Sequence, residues 1–306
     1  MTERRILGFV GLGSMGQGIA SQLLAKGLRV QAHDIRPAAR DPWVAKGGVW
    51  ADRPAAAAAG ASGLVLMVVN ADQVEEALWG PDGALGTLAK GSVVVVHSTI
   101  PASAAAAIGA RLLAAGYPML DAPVSGGVAA AAAGTLSVMA SGSAAAFAAS
   151  EDLLAATASR VFRVGDAPGM GSAVKTVNQL LAGAHIAVAA EAMAFGARSG
   201  VDTRVLYDVI THCAGNSWMF ANRVPHMLDD DYQPRSAVTI FVKDLGIVLD
   251  SARELGFPAP MTALAHQLFI MAAGSGHAAQ DDAAVVKVYE AMSGARVAQP
   301  RKDPAA

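Results

Sequence analysis

The hydrophobic pattern of the first half alternates between two periods. The apolar run Ile6–Val10 has strand length, and glycines at 11, 13 and 16 follow it. A helical pattern then runs from about Met15 to Lys26, and Gly27 closes it in the manner of a C-terminal cap. Arg29–His33 predicts a second strand. Leu64–Val69 and Val93–Val96 are continuous apolar runs, as expected where both faces of a parallel sheet are covered. Met119–Val124, Leu136–Ala140 and Val161–Val164 predict further strands. Strands alternating with helices imply βαβ units and a doubly wound sheet.

The pattern changes at Asp166-Ala167-Pro168-Gly169. Beyond it lie helices. Gly171–Ser199 is apolar almost all round, the mark of a helix buried on most sides, and Gly200 ends it. Ser236–Leu255 carries Val238, Phe241, Val242, Leu245, Val248, Leu249 and Ala252 at three-and-four spacing, with Pro258 and Pro260 expected to stop it. Helices around Met261–Ala273 and Asp281–Met292 complete the chain. The expectation is an α/β domain over 1–166 followed by an all-α domain over 167–306. The alanine tracts 55–59, 104–107 and 129–133 read as helix surfaces or turns and receive no function.

Composition narrows the class. The 306 residues carry a formal charge of −2 and no Lys/Arg cluster, which argues against a nucleic-acid partner. Cys213 is the only cysteine, so no intrachain disulfide and no cysteine zinc cluster are expected; no metal site is read, and a cytoplasmic location fits. Arg4 and Arg5 before an apolar stretch mimic a secretory signal, but the glycines that follow fit strand, turn and helix better. Lys175, His185 and Glu191 interrupt the apolar stretch 174–197, so a buried helix is expected there and no membrane partner.

Gly11-Leu12-Gly13-Ser14-Met15-Gly16 is a G-x-G-x-x-G sequence, a weak signal alone. Here it follows a predicted strand and opens a predicted helix, the context a dinucleotide site requires. Gly11 permits the tight turn, Gly13 lets pyrophosphate approach the backbone, and Gly16 allows close helix–strand packing. Asp34 ends the second strand eighteen residues after Gly16 and is placed to bond ribose hydroxyls. Its charge would repel a 2′-phosphate, so NAD is expected over NADP, although Arg36 lies two residues on. Asn70 and Thr99 follow strand ends; each reads equally as a cofactor contact or as a loop cap.

Two candidates carry the chemistry. Ser125-Gly126-Gly127 closes Asp121-Ala-Pro-Val-Ser-Gly-Gly127, and its backbone N–H groups and hydroxyl suit a substrate carboxylate or, equally, an ordinary tight turn. Lys175 lies early in the long helix, with Asn178 and Gln179 three and four residues on and hence on the same face. It is one of seven lysines among 23 basic residues. Spacing alone leaves open whether it snorkels to solvent. Alcohol oxidation needs a base for the hydroxyl proton, and no His/Asp or Ser/His pairing ends a strand. A desolvated lysine beside a cationic nicotinamide has its pKa drawn down from about 10.4 toward the working pH.

Four blocks in order now resemble the β-hydroxyacid dehydrogenase family, which includes 3-hydroxyisobutyrate dehydrogenase and tartronate semialdehyde reductase. They are Gly8-Phe-Val-Gly-Leu-Gly-Ser-Met-Gly16, Asp121 to Gly127, Gly171-Ser-Ala-Val-Lys-Thr-Val-Asn178 and Lys243-Asp-Leu245. The resemblance implies a Rossmann domain joined to an all-α domain by a long interdomain helix, with assembly into homodimers or homotetramers. It implies Lys175 as the catalytic residue, Ser125, Gly126, Gly127 and Asn178 as substrate contacts, and Thr99 and Lys243 at the cofactor. Two departures stand out: Val96 where many relatives have an acid, and Asn178-Gln179 where many have paired asparagines. The runs 177–186, 215–220 and 225–228 resemble the L-threonate dehydrogenase branch, which oxidises a four-carbon sugar acid at C2. Gln179, His185, Asn216 and Ser217 are then candidates to read extra hydroxyls, His185 reading rather as a satisfied core histidine. Semialdehyde or imine reduction on the same scaffold, and a non-catalytic NAD-binding scaffold, are the alternatives.

Overall fold

The computed structural model describes residues 5–299. The chain divides into two compact units between Thr176 and Val177, inside the helix Met170–Arg198. The division falls beyond the change in sequence character at 166, because the first turns of that helix pack with the sheet.

Among the described residues the first unit holds nine strands: β1 (Ile6–Val10), β2 (Arg29–His33), β3 (Val49–Trp50), β4 (Gly63–Leu66), β5 (Val93–Val96), β6 (Met119–Asp121), β7 (Val124–Ser125), β8 (Leu136–Ser141) and β9 (Ala158–Gly165). Their order is β3-β2-β1-β4-β5-β6-β8-β7, with β9 beside β8. Strands β3 to β6 are parallel, β8 runs antiparallel to β6 and β7, and β9 runs parallel to β8. This is the doubly wound, Rossmann-like sheet that the alternation predicts. Strand order reverses between β1 and β4, and ligands of such sheets bind outside the carboxyl ends of the strands. The register aligns Val10 with Leu66, Leu66 with Val96 and Val96 with Asp121, so four carboxyl ends share one edge.

Side-chain alternation explains the all-apolar runs. Val93 and Val95 pack in one core and Val94 and Val96 in another, one on each face of the sheet. The β4 pattern ends earlier than its apolar run suggests, at Leu66, since Val69 is exposed. Pro123 lacks an N–H, and the run 119–124 splits around Ala122-Pro123 into β6 and β7. The alanine tracts are not idle surface. Ala57, Ala58 and Ala131 are fully buried, and a Cβ on Gly18 would approach the backbone of Ala131 to 2.9 Å.

The second unit is helical. The remainder of Met170–Arg198 is followed by Thr203–Thr211, Trp218–Leu228, Val238–Glu254, Pro260–Ala272 and Val286–Ser293. The long helix has the length and apolarity of a bilayer span, but Ile186, Ala190, Met193 and Ala194 build the core with Phe220, Val224, Phe241, Leu245 and Phe269. Phe241 and Phe269 stack with centroids 5.1 Å apart. Asp202 and Ser217 cap two helices whose starts periodicity alone does not mark. Pro260 opens a helix at its first turn rather than stopping the previous one, which ends at Glu254 before Gly256 (φ +62°).

Candidate active site

The glycine turn leaves β1 and enters the helix Ser14–Ala25. Gly11 has φ +101°, its N–H donates to His33 O at 2.9 Å, and a Cβ there would fall on the Met67 carbonyl. A Cβ on Gly16 would fall on the Gly11 carbonyl. Both glycines are therefore demanded by the protein's own packing. Gly13 is different: a Cβ there meets nothing within 4 Å. No side chain caps the helix at Gly13, which leaves the first-turn N–H groups of Ser14, Met15 and Gly16 without an intrahelical acceptor. Such a cradle fits the pyrophosphate of a dinucleotide.

Asp34 is buried just beyond β2. Its carboxylate accepts from Leu12 N–H at 2.7 Å and from Arg36 N–H at 2.8 Å, so it braces the glycine turn directly. Arg36 adds Nε and Nη2 bonds at 2.9 and 3.1 Å, and its Nη2 also donates to Leu12 O. Burial raises the Asp34 pKa, but the Arg36 guanidinium and the two N–H donors outweigh it and hold the carboxyl below the usual range. Arg36, which the sequence offers to a 2′-phosphate, is engaged with Asp34 instead.

Asn70 and Thr99 follow the aligned ends of β4 and β5. Asn70 caps the helix Ala71–Trp79, its Oδ1 accepting from Gln73 N–H at 2.9 Å. Thr99 is half-buried between β5 and the helix Ala102–Ala114. His97, which sequence reasoning passed over, is buried at the same edge. Its Nδ1 donates to Ala122 O at 2.6 Å, burial lowers its pKa, and Nε2 has no partner among the described residues. An imidazole directly after four valines was the available signal.

Asp121 ends β6, where the sequence marks only a turn motif. Its buried carboxylate accepts from Gly169 N–H and Ser172 N–H at 2.9 Å each, from Ser172 Oγ at 2.7 Å and from Ser141 Oγ at 3.3 Å. Burial raises its pKa, and these donors oppose the rise. The carboxylate thus anchors the start of Met170–Arg198 to the sheet edge, complementing the positive end of the helix. A Cβ on Gly171 would approach the Met139 carbonyl to 2.5 Å and the Asp121 carbonyl to 2.6 Å, so the helix lies hard against the strands. Lys175 follows one turn later and is buried, with 8% of its surface exposed. That is not a lysine reaching out to solvent. Ser125, at the end of β7, precedes Gly126 (φ +129°) and Gly127 (φ +72°), where the helix Gly127–Ala133 begins without a side-chain cap.

In the second unit, Asn178 Nδ2 donates to Gln179 Oε1 at 2.9 Å, and Gln179 Nε2 donates to Asp244 Oδ2 at 2.5 Å. Lys243 Nζ lies 2.7 Å from Asp244 Oδ1. Gln179 and Asp244 are buried. The other polar candidates lie outside this network. His185 is exposed, contrary to a core histidine. Asn216 is exposed and donates to Thr211 O, and Ser217 spends its Oγ on capping Trp218–Leu228.

Comparison with known proteins agrees with this geometry. Residues 6–165 match the family described as the NAD binding domain of 6-phosphogluconate dehydrogenase, and residues 169–289 match the family described as NAD-binding of NADP-dependent 3-hydroxyisobutyrate dehydrogenase. L-Threonate dehydrogenase of Cupriavidus necator is 53% identical over 285 residues, covering 93% of this chain and 96% of that protein. The Escherichia coli K12 protein of the same name is 46% identical, covering 94% of this chain and 95% of its own. A crystal structure from Salmonella typhimurium, described as 3-hydroxyisobutyrate dehydrogenase, superposes with a TM-score of 0.87 at 49% identity, covering 93% of this chain and 99% of that one. The chain belongs to the β-hydroxyacid dehydrogenase family, of the 3-hydroxyisobutyrate dehydrogenase type. It is an NAD-dependent hydroxy-acid dehydrogenase most similar to the L-threonate dehydrogenase branch.

Proposed function

We propose that the protein oxidises a four-carbon sugar acid of the L-threonate type at C2, with Lys175 as the general acid/base. The observation that carries the mechanism is the burial of Lys175 one turn beyond a helix start fastened by Asp121. The dinucleotide, bound on the glycine cradle, supplies the hydride acceptor. Gly11, Leu12, Gly13, Ser14, Met15 and Gly16 hold its phosphates, Asp34 its ribose, and Asn70, Thr99 and Lys243 further parts of the cofactor. Asp34 disfavours a 2′-phosphate, so NAD is preferred over NADP.

Ser125, Gly126 and Gly127 hold the substrate carboxylate through the serine hydroxyl and backbone N–H groups. Lys175 Nζ, as the neutral amine, takes the proton of the C2 hydroxyl as the carbon loses hydride and becomes a carbonyl. In reduction the ammonium returns that proton to the oxygen. Asn178 and Gln179, three and four residues along the same helix, orient the hydroxyls. Residues 1–166 serve the cofactor and 167–306 the substrate and dimerisation. The protein works in the cytoplasm as a homodimer or homotetramer, without nucleic acid, membrane or metal.

The identity to the C. necator and E. coli enzymes favours threonate. The Salmonella structure keeps 3-hydroxyisobutyrate as the second reading. NADH formation with L-threonate and 3-hydroxyisobutyrate separates them. A higher kcat/KM for L-threonate is expected, and the reverse ranking overturns the substrate assignment.

A further inference from the structure

An amide side chain offers a donor at one end and an acceptor at the other, and its chemistry depends on which way it is held. In the second unit that direction is set by a group with no ambiguity. Asp244, 2% exposed on the helix Val238–Glu254, is paired with Lys243 and accepts only. Gln179 must therefore turn its NH2 toward Asp244 Oδ2, which sends Oε1 the other way. Oε1 in turn accepts from Asn178 Nδ2. Asn178 therefore turns its NH2 toward Gln179 and its Oδ1 away from it. Gln179 bridges Asn178 and Asp244 with one bond at each end of its amide.

We propose that Asp244 is a positioning residue. Through Gln179 it fixes the direction of Asn178, so that an oxygen and not an NH2 is presented to the substrate. An oxygen at that position accepts from a hydroxyl, the group a hydroxy acid brings and a simple carbonyl does not. Gln179 then acts chiefly as a relay. The inference rests on the reading of Asn178 as a substrate contact.

The relay has a charge-swapped equivalent. In Asp244→Asn the Lys243 ammonium holds the amide oxygen at the former Oδ1 place, which turns the NH2 of the variant side chain toward Gln179 and reverses the direction passed to Asn178. In Gln179→Glu two carboxylates face each other across a hydrogen-bond distance. The double variant Asp244→Asn/Gln179→Glu moves the carboxylate to position 179. There it accepts from the amides at both 244 and 178, and the direction of Asn178 is restored.

Steady-state kinetics on the full chain with the preferred hydroxy acid, together with NAD titration and melting curves, test this. Each single variant is expected to lose about tenfold or more in kcat/KM for the hydroxy acid, through an uncompensated buried polar group. The double variant is expected to recover to within about threefold of the parent. Gln179→Met leaves the Lys243–Asp244 pair in place and is expected to raise the hydroxy-acid KM while the NAD affinity stays unchanged. A folded double variant no better than the worse single variant overturns the proposal, as does Gln179→Met with full kcat/KM. Asn178→Ala separates the two levels. Unchanged kcat/KM there removes the substrate-contact reading and the relay with it, whereas an impaired Asn178→Ala beside an unrecovered double variant removes the relay alone.

Discussion

Replacing Asp121 with alanine tests whether the lysine-bearing helix is held by a single carboxylate. The substitution strands the N–H groups of Gly169 and Ser172, which among the described residues donate only to Asp121, at 2.9 Å in the buried interior. A buried donor left unpaired costs about 1–3 kcal/mol, so two give about 2–6 kcal/mol. The serine hydroxyls add little: they can rotate, and Ser141 Oγ already accepts from Gly171 N–H at 2.9 Å. Against this, alanine removes the desolvation cost of the carboxylate itself, which burial makes considerable. The lower half of the range follows, about 2–4 kcal/mol. Asp121→Asn retains one acceptor oxygen and should cost about half as much. Urea titration followed by circular dichroism reads the stability, and kcat with saturating NAD reads the chemistry. We expect both to fall, with kcat falling further than the unfolded fraction accounts for. A loss below about 1 kcal/mol with kcat intact would refute the anchoring argument.

The glycine turn separates packing from binding. Gly11→Ala forces a side chain into φ +101° against the Met67 carbonyl and should cost about 2–4 kcal/mol by thermal melting, whereas Gly13→Ala, facing open space, should leave the melting curve unchanged and weaken NAD about tenfold by calorimetric titration. Equal effects of the two on stability would contradict the cradle. The Asp34 pKa is lowered in the folded state, so its contribution is complete above the unfolded value of 3.8 and is lost as pH falls through the folded value. Asp34→Asn should thus be less stable than the parent at pH 7, and the difference should close as urea titrations are repeated below pH 3.8. The same variant should relax the preference for NAD over NADP in initial-rate assays.

Most of the sheet was legible because buried parallel strands must be apolar on both faces, which the four valines of β5 satisfy literally. The two-residue strand β3 was not, since two residues carry no period. The glycine turn and Asp34 were legible because backbone geometry demands their chemistry at fixed spacing. Asp121, His97 and Asp244 were not. Each owes its place to partners distant in sequence, such as Ser172 fifty-one residues from Asp121 and Gln179 sixty-five from Asp244. Of the polar residues offered to extra hydroxyls, Ser217 caps a helix and His185 is exposed, neither of which was legible, because a hydroxyl or imidazole in a sequence does not announce which way it faces.

On this mechanism the buried amine of Lys175 moves the proton. Stopped-flow measurement of NADH formation by Lys175→Ala, alongside NAD titration of the same variant, tests it most directly. NAD affinity is expected to stay within about threefold of the parent and the rate of hydride transfer to fall by about 10²–10⁴. Hydride transfer within about tenfold of the parent, with the same hydroxy acid and at the same pH, would contradict it.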